Sequence, residues 1–80
     1  MPHYFFDVEN GSAFRDYVGR DLASLQAAKR EADEALSAAV KNDLSRDTRR
    51  DIAINVRDEA SIVVLRVALS YSATPPLPQG

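Results

Sequence analysis

The sequence predicts an α+β domain in ββαββ order, with a four-stranded antiparallel sheet that carries one helix on one face. Apolar residues recur with the 3.6-residue period of a helix in the middle of the chain, and both flanking stretches alternate with the two-residue period of strands. The predicted helical stripe consists mainly of small residues: Leu25, Ala28, Ala32, Ala35, Leu36, Ala39 and Val40. Because such a stripe allows close approach, we expect large strand residues to fill the layer beneath it: Tyr4, Phe6, Phe14, Ile54, Val56, Leu65 and Val67.

The first hairpin is predicted at the start of the chain. From His3 to Val8 the side chains alternate, and the aromatic residues Tyr4 and Phe6 mark the core face. Residues 9–12, with the sequence ENGS, form a turn because Asn and Gly tolerate positive φ. A second, shorter strand is therefore expected over 13–17.

The helix is predicted to run from about Ser24 to Val40 and to end near Asp43. Ser24 is the expected N-cap, since its hydroxyl can accept a hydrogen bond from a free amide of the first turn. A regular continuation would place the Asp43 carboxylate on the apolar stripe, which favours an end to the helix there.

The second hairpin follows a polar connection. Ile52, Ile54 and Val56 alternate with Ala53 and polar residues as the third strand, and 58–61 is the predicted turn. The fourth strand, 62–70, is apolar on both faces except at Arg66, which predicts a central or covered position in the sheet. Three prolines follow Ala73, so we predict one domain over 1–72 and a disordered tail over 73–80.

Composition limits the classes of function. The formal net charge of -2 gives no overall attraction to nucleic acid or to an anionic membrane. Without cysteine the chain has no disulfide framework, no thiolate zinc site and no cysteine nucleophile. The longest apolar run, 62–69, is too short to span a bilayer and is interrupted by Arg66. We expect a cytoplasmic protein with no membrane partner.

Catalytic and metal-binding residues are weakly indicated. His3 is the single histidine and a possible general base, but nothing supplies an activated nucleophile or an oxyanion site beside it. The acidic series lacks the spacing of a calcium or magnesium loop and is interpreted as solvated hairpin charges and caps: Asp7, Glu9, Asp16 and Asp21. We therefore expect a protein that is not an enzyme and that holds no cofactor or metal.

A basic cluster lies around the end of the predicted helix. It is the candidate nucleic-acid contact and consists of Lys41, Arg46, Arg49 and Arg50. Three aspartates interleave with it and offset most of its local positive charge. A salt-bridged loop is favoured, and a nucleic-acid-binding module stays as the alternative function.

The second face of the sheet is the candidate interface. Its apolar residues are Phe5, Ala53, Ile62, Val64 and Ala68. One helix covers one side of a sheet, so this set is expected to face water in a monomer unless sheet twist or the tail hides it. We favour a partner, either another protein or a second copy in a homodimer. The predicted function is a non-enzymatic interaction or regulatory module.

Several segments resemble a family of short bacterial proteins known as a domain of unknown function. They are the opening MPHYFFDVENG, RDYVGRDL over 15–22, LQAA with Glu31-Ala32 in the helix, and INVRDE over 54–59. The resemblance covers about 1–70 and implies the fold and a cytoplasmic bacterial setting, with no known site residues. The chain is more distantly similar to the N-terminal part of HicB-type antitoxins, where a tyrosine-containing strand and a second strand precede an alanine-rich helix. An antitoxin role is thus a further alternative.

Overall fold

The part of the chain that the structure describes forms five strands and one helix. A computed structural model describes residues 1–43 and 49–72. The elements follow one another as β1 (His3–Asn10), β2 (Ala13–Phe14), β3 (Arg20–Asp21), α1 (Leu25–Asp43), β4 (Arg49–Arg57) and β5 (Val63–Ser72). The predicted tail over 73–80 lies outside the described residues.

The sheet is antiparallel and has the main order β2-β1-β4-β5, with β3 also paired to β1. Its centre is the long pairing of β1 with β4, in which Phe6 lies opposite Val56 and Val8 opposite Ile54. The predicted α+β class, with one helix and an antiparallel sheet, is confirmed. In the described part of the chain, α1 is not long and apolar enough to cross a membrane.

The core lies between α1 and the β4–β5 side of the sheet. Ala28 and Ala32 are fully buried, as are Ile54 and Val56 opposite them. The stripe of small residues on the helix therefore allows the helix to pack closely against the sheet, as predicted. Leu36 also contacts this cluster, at the fourth position after Ala32, and the contact line follows this spacing along the helix.

Three residues predicted in the core are exposed instead. Ala35 is exposed because it lies beside the contact line of the helix, and Leu25 is 44% exposed in its first turn. Phe14 is 61% exposed because it belongs to β2, on the opposite edge of the sheet from the strands that α1 covers.

The predicted second strand is replaced by two short ones. β2 and β3 have two residues each and both pair with β1, near its end and near its beginning. Residues 15–19 between them leave the ladder, because the Asp16 side chain hydrogen bonds to the Phe6 backbone amide at this edge. The continuous strand predicted over 13–17 is therefore wrong.

The last strand is an edge strand, not a central one. Among the described residues β5 pairs with β4 alone. A bulge at Val56/Arg57 interrupts its alternation, and Val63 and Val64 are 53% and 37% exposed. Apolar residues on both faces of β5 therefore do not require a second neighbouring strand.

The predicted cap and turn are both present. The Ser24 hydroxyl accepts a hydrogen bond from the Ala27 amide at 3.1 Å at the start of α1. In the β4–β5 turn, the Asp58 carboxylate accepts hydrogen bonds from the amides of Ala60 and Ile62, while Ser61 takes a φ of 63°. These local bonds fix the direction of the second hairpin.

Candidate functional site

The face of the sheet opposite the helix carries a charged network. Strand pairing aligns Asp7, Asn55 and Arg66 in one row across β1, β4 and β5. The Arg66 guanidinium donates to Asn55 at 2.8 Å and to Glu9 at 3.1 Å, and the Asn55 amide donates to Glu9 at 2.9 Å. Hydrogen bonds from Arg66 and Asn55 lower the pKa of Glu9. The open face is therefore polar at its centre.

This network divides the five residues predicted to form an apolar interface. Ile62 is 59% exposed and Val64 37%, and Ala68 is also exposed. Ala53 is only 4% exposed on the inner strand β4, where it lies between Glu9 of β1 and Ala68 of β5, and Phe5 is half-buried. The expectation that all five face water is corrected, and their role in binding stays a prediction.

Arg57 is the buried cation of the open face. Its Nε lies 2.6 Å from Asp7 Oδ2, and its Nη2 lies 3.1 Å from Asp7 Oδ1. Nη2 also donates to the Asp16 carbonyl at 2.8 Å, and the guanidinium lies 4.8 Å from the centre of the Phe5 ring. The Asp7 hydrogen bond raises the pKa of Arg57, and the Arg57 hydrogen bond lowers the pKa of Asp7.

Asp16 completes the edge of β1. Its carboxylate accepts hydrogen bonds from the amides of Phe6 at 3.0 Å, Val18 at 3.0 Å and Gly19 at 3.1 Å. Its own amide donates to Asp7 at 2.9 Å. Burial alone would raise the pKa of Asp16, but the three amide donors lower it. The carboxylate thus occupies the place of a missing strand between β2 and β3.

The prediction that Asp7 and Asp16 are solvated hairpin charges is wrong, whereas the predicted capping is found at Asp16, which accepts backbone amides. Both are partly buried and bound to donors of the protein. The two-residue alternation places Asp7 and Arg57 on the face of the sheet opposite Phe6 and Val56. The sequence therefore indicates that both lie on the same face. The strand register that brings them together is not visible in the sequence, so the pairing was missed.

His3 attaches the 18–21 segment to β1. Its Nδ1 lies 2.6 Å from Asp21 Oδ1, and its Nε2 lies 2.8 Å from the Val18 carbonyl oxygen. The hydrogen bonds with Asp21 and Val18 raise the pKa of His3, because only the protonated ring donates to both acceptors at once. Both ring nitrogens are therefore engaged within the protein.

Gly19 is required beneath this histidine. It has a φ of 69°, and a Cβ at this position would lie 2.5 Å from His3 Nε2 and 2.6 Å from the Tyr4 carbonyl oxygen. Neither the backbone conformation nor the space admits a side chain. Gly19 therefore permits the contact between His3 and the Val18 carbonyl.

A cavity of about 290 Å³ lies between this segment and the helix, crossed by the 2.6 Å ion pair of Arg20 with Glu31. Its size is at the lower limit for a small-molecule pocket, and its carboxylate Asp16 already accepts three amide donors. In the described ranges no three His, Asp or Glu side chains converge as a metal site requires.

The predicted nucleic-acid contact is described only in part. Lys41 is exposed in the last turn of α1. The backbones of Arg49 and Arg50 begin β4, but their side chains and the whole of Arg46 lie outside the described part of the chain. The nucleic-acid contact stays a prediction.

The two edges of the sheet differ in how far other parts of the chain cover their backbone groups. The β1 edge is covered by β2, by β3 and, between them, by the Asp16 carboxylate. No described residue pairs with the outer side of β5, although this strand has ten residues. Exposed apolar side chains accompany it, with Ile62 at 59%, Val63 at 53% and Leu69 at 41%. This unpaired outer side, from Val63 to Ser72, is called the β5 edge.

Comparison with known proteins gives one match. A family model described as a domain of unknown function (DUF6894) matches residues 3–70. A search of curated proteins and a search of solved structures find no match to the chain.

Proposed function

Since the chain belongs to the DUF6894 family, whose description assigns no function, we propose its role from its structure. It is a small protein-interaction module that binds an extended polypeptide segment along the β5 edge. One observation carries this proposal: three separate features protect the β1 edge, and none of the described residues protects the other. Natural sheets usually block exposed edges, so an open one is suited to a partner.

The composition of β5 favours strand addition. An edge strand presents unpaired amide and carbonyl groups to solvent, which a partner strand can bind by main-chain hydrogen bonds. The sequence from Val63 to Ser72 has no proline, and its single charged residue is Arg66. Arg66 is directed to Glu9 and Asn55 on the inner strands, so it does not obstruct the edge.

The apolar layer of the sheet continues to this edge. Leu69 lies opposite Ile52 in the β4–β5 pairing, yet Ile52 is 1% exposed and Leu69 is 41% exposed. A bound strand would place a side chain beside Leu69 and remove its outer surface from water. The edge therefore offers side-chain contacts in addition to main-chain bonds.

Binding without catalysis is supported by the state of the polar residues. His3, Asp7 and Asp16 each hydrogen bond to other groups of the protein. Their hydrogen bonds join β1 to β3, β4 and the 15–19 segment. These groups maintain the fold and do not converge on a free reaction site.

The proposal is tested by affinity capture from the native cell with three forms of the tagged chain. Leu69→Glu places a charge on the β5 edge. Leu25→Glu is the matched control, since Leu25 is 44% exposed but lies in the helix. Wild type and Leu25→Glu should capture the same protein, which is either another protein or the untagged native copy of the chain. Leu69→Glu should not capture it.

The captured protein is then purified and mixed with the chain. Binding should slow hydrogen exchange at the outward amides of β5. Equal capture by all three forms, or unchanged exchange in β5, would contradict the proposed use of this edge.

A further inference from the structure

We propose that the β5 edge binds the β5 edge of a second copy of the chain, antiparallel, around a two-fold axis at Ala68. This inference rests on the proposed function and names its partner. It also assigns the register in which the two β5 strands pair, so that both the partner and this register can be tested.

The protected β1 edge supports a second copy as the partner. Joining two copies through β5 produces one continuous sheet in the order β2-β1-β4-β5-β5-β4-β1-β2. Both outer edges are then the ones that β2, β3 and Asp16 already cover. The assembly therefore closes at two copies and cannot extend into a fibre.

Two-fold symmetry restricts the possible registers. When antiparallel neighbours in one sheet are related by a two-fold axis, the axis is perpendicular to the sheet and one residue lies opposite its own copy. Arg66, Val67 and Ala68 are the candidates near the middle of β5. An axis at Arg66 would place the two Arg66 residues directly opposite each other, and like charges on directly opposed residues are destabilising.

Charge favours Ala68 over Val67. An axis at Val67 leaves the two Arg66 side chains on neighbouring diagonal positions. An axis at Ala68 separates them and places each Arg66 opposite Ser70 of the second copy. The Ser70 hydroxyl donates to the Asp51 carboxylate on the adjacent strand, so the residue opposite each Arg66 carries no positive charge.

Apolar contact is also satisfied in this register, as it is with the axis at Val67, where Leu69 lies opposite Leu65. With Ala68 on the axis, Val67 of each copy lies opposite Leu69 of the other, on the face that carries the helix. Val67 is half-buried and Leu69 is 41% exposed in the single chain. The two apolar layers then meet across the axis, and the exposed side of Leu69 is covered.

The first test measures molar mass by light scattering over a range of concentrations of the full chain. The expected mass is about twice 8.8 kDa for wild type and for Leu25→Glu. Leu69→Glu should give the mass of one chain, with an unchanged circular dichroism spectrum. A dimer that resists Leu69→Glu would overturn the proposed interface.

The second test determines the register by disulfide formation, which the absence of native cysteine makes unambiguous. Residues that face each other across antiparallel strands have Cα atoms about 4.5–5.5 Å apart, within the Cα separation that a disulfide can span. Ala68→Cys should form a covalent dimer under mild oxidation, whereas Val67→Cys should not. The reverse result would overturn the Ala68 axis. Should Leu69→Glu fail to fold, Ala68→Cys decides alone, because Ala68 is exposed.

Failure of this inference is distinguishable from failure of the proposed function. A wild-type chain that stays monomeric, but captures another protein in a manner sensitive to Leu69→Glu, overturns the second copy as partner and supports the open edge. A monomer that captures nothing overturns both.

Discussion

Arg57 and Asp7 form a two-point ion pair across the centre of the sheet, with contacts of 2.6 and 3.1 Å, although they lie fifty positions apart in the chain. The same guanidinium binds the Asp16 carbonyl. One buried cation therefore joins β1, β4 and the 15–19 segment. The stability of this side of the fold should depend on it more than on the exposed pairs.

Replacement of Arg57 tests that dependence. The Arg57→Met variant keeps much of the side-chain volume but leaves Asp7 without its cation, and removal of one partner of a buried pair costs about 3–5 kcal/mol. Asp7 is 19% exposed, so we expect a loss of about 3 kcal/mol in urea denaturation. Arg66→Met, whose side chain is 51% exposed in its pair with Glu9, should lose under about 1 kcal/mol. Equal losses would show that burial does not distinguish the pairs.

Acid should weaken the same region. The pKa of Asp7 is lowered from its ordinary value of 3.8, chiefly by the Arg57 hydrogen bond. The ionised Asp7 therefore contributes fully to stability at a pH above its unfolded pKa. This contribution is lost as the pH falls through the lower pKa of the folded state. We expect the free energy of unfolding to decrease below about pH 4, with a smaller slope in Asp7→Asn. An identical slope in the variant would exclude Asp7 as a source.

Asp16 should control the protection of the β1 edge. Asp16→Asn replaces one acceptor oxygen by a donor group, so the carboxamide cannot accept the Phe6 bond and the Val18 and Gly19 bonds on separate oxygens. We expect faster hydrogen exchange at these amides and a loss of about 1–3 kcal/mol. Exchange at Ile54, in the β1–β4 centre, serves as the internal reference. Uniform acceleration at both places would indicate global destabilisation instead.

Rising pH should release the contact between His3 and the 18–21 segment. The pKa of His3 is raised above 6.5, first by the Asp21 hydrogen bond and then by the Val18 carbonyl. Such a group stabilises the fold fully below its unfolded pKa, and this contribution is lost as pH rises through the folded value. We expect the wild type to lose stability above about pH 6.5, whereas His3→Gln should show no such change in this window. NMR titration of the imidazole protons gives the pKa directly, and a value at or below 6.5 would contradict this account.

Two alanine substitutions test which side of the helix contacts the sheet. Ala32 is fully buried and Ala35 is exposed on the same helix. Ala32→Leu forces extra volume against the sheet and should destabilise the fold by about 1–3 kcal/mol. Ala35→Leu adds the same volume at an exposed position beside the cavity, where space is available, and should change stability by less than about 0.5 kcal/mol. Thermal unfolding of both variants measures the difference, and similar melting temperatures would refute the assigned contact line.

Periodicity predicted the features that depend on local pattern. The small residues Ala28 and Ala32, the core face of β1 and β4, the Ser24 cap and the 58–61 turn are all found. Each follows from neighbouring residues along one element, so the sequence alone contains the necessary information.

Features that depend on long-range register were not predicted. The broken second strand results from Asp16 accepting the Phe6 amide, and the edge position of β5 results from the pairing of β1 with β4. The buried pair of Arg57 and Asp7 likewise requires two distant strands to be aligned. Charge and spacing along one strand do not determine which strand is its neighbour.

The central pairing of β1 with β4 has a consequence for the order of folding. Phe6 meets Val56 only after the chain has passed through the whole helix, so the contact order of the sheet is high. Closing this long loop delays folding relative to proteins of similar size with local contacts. During synthesis the aromatic residues of β1 have no β4 to cover them until Val56 has left the ribosome.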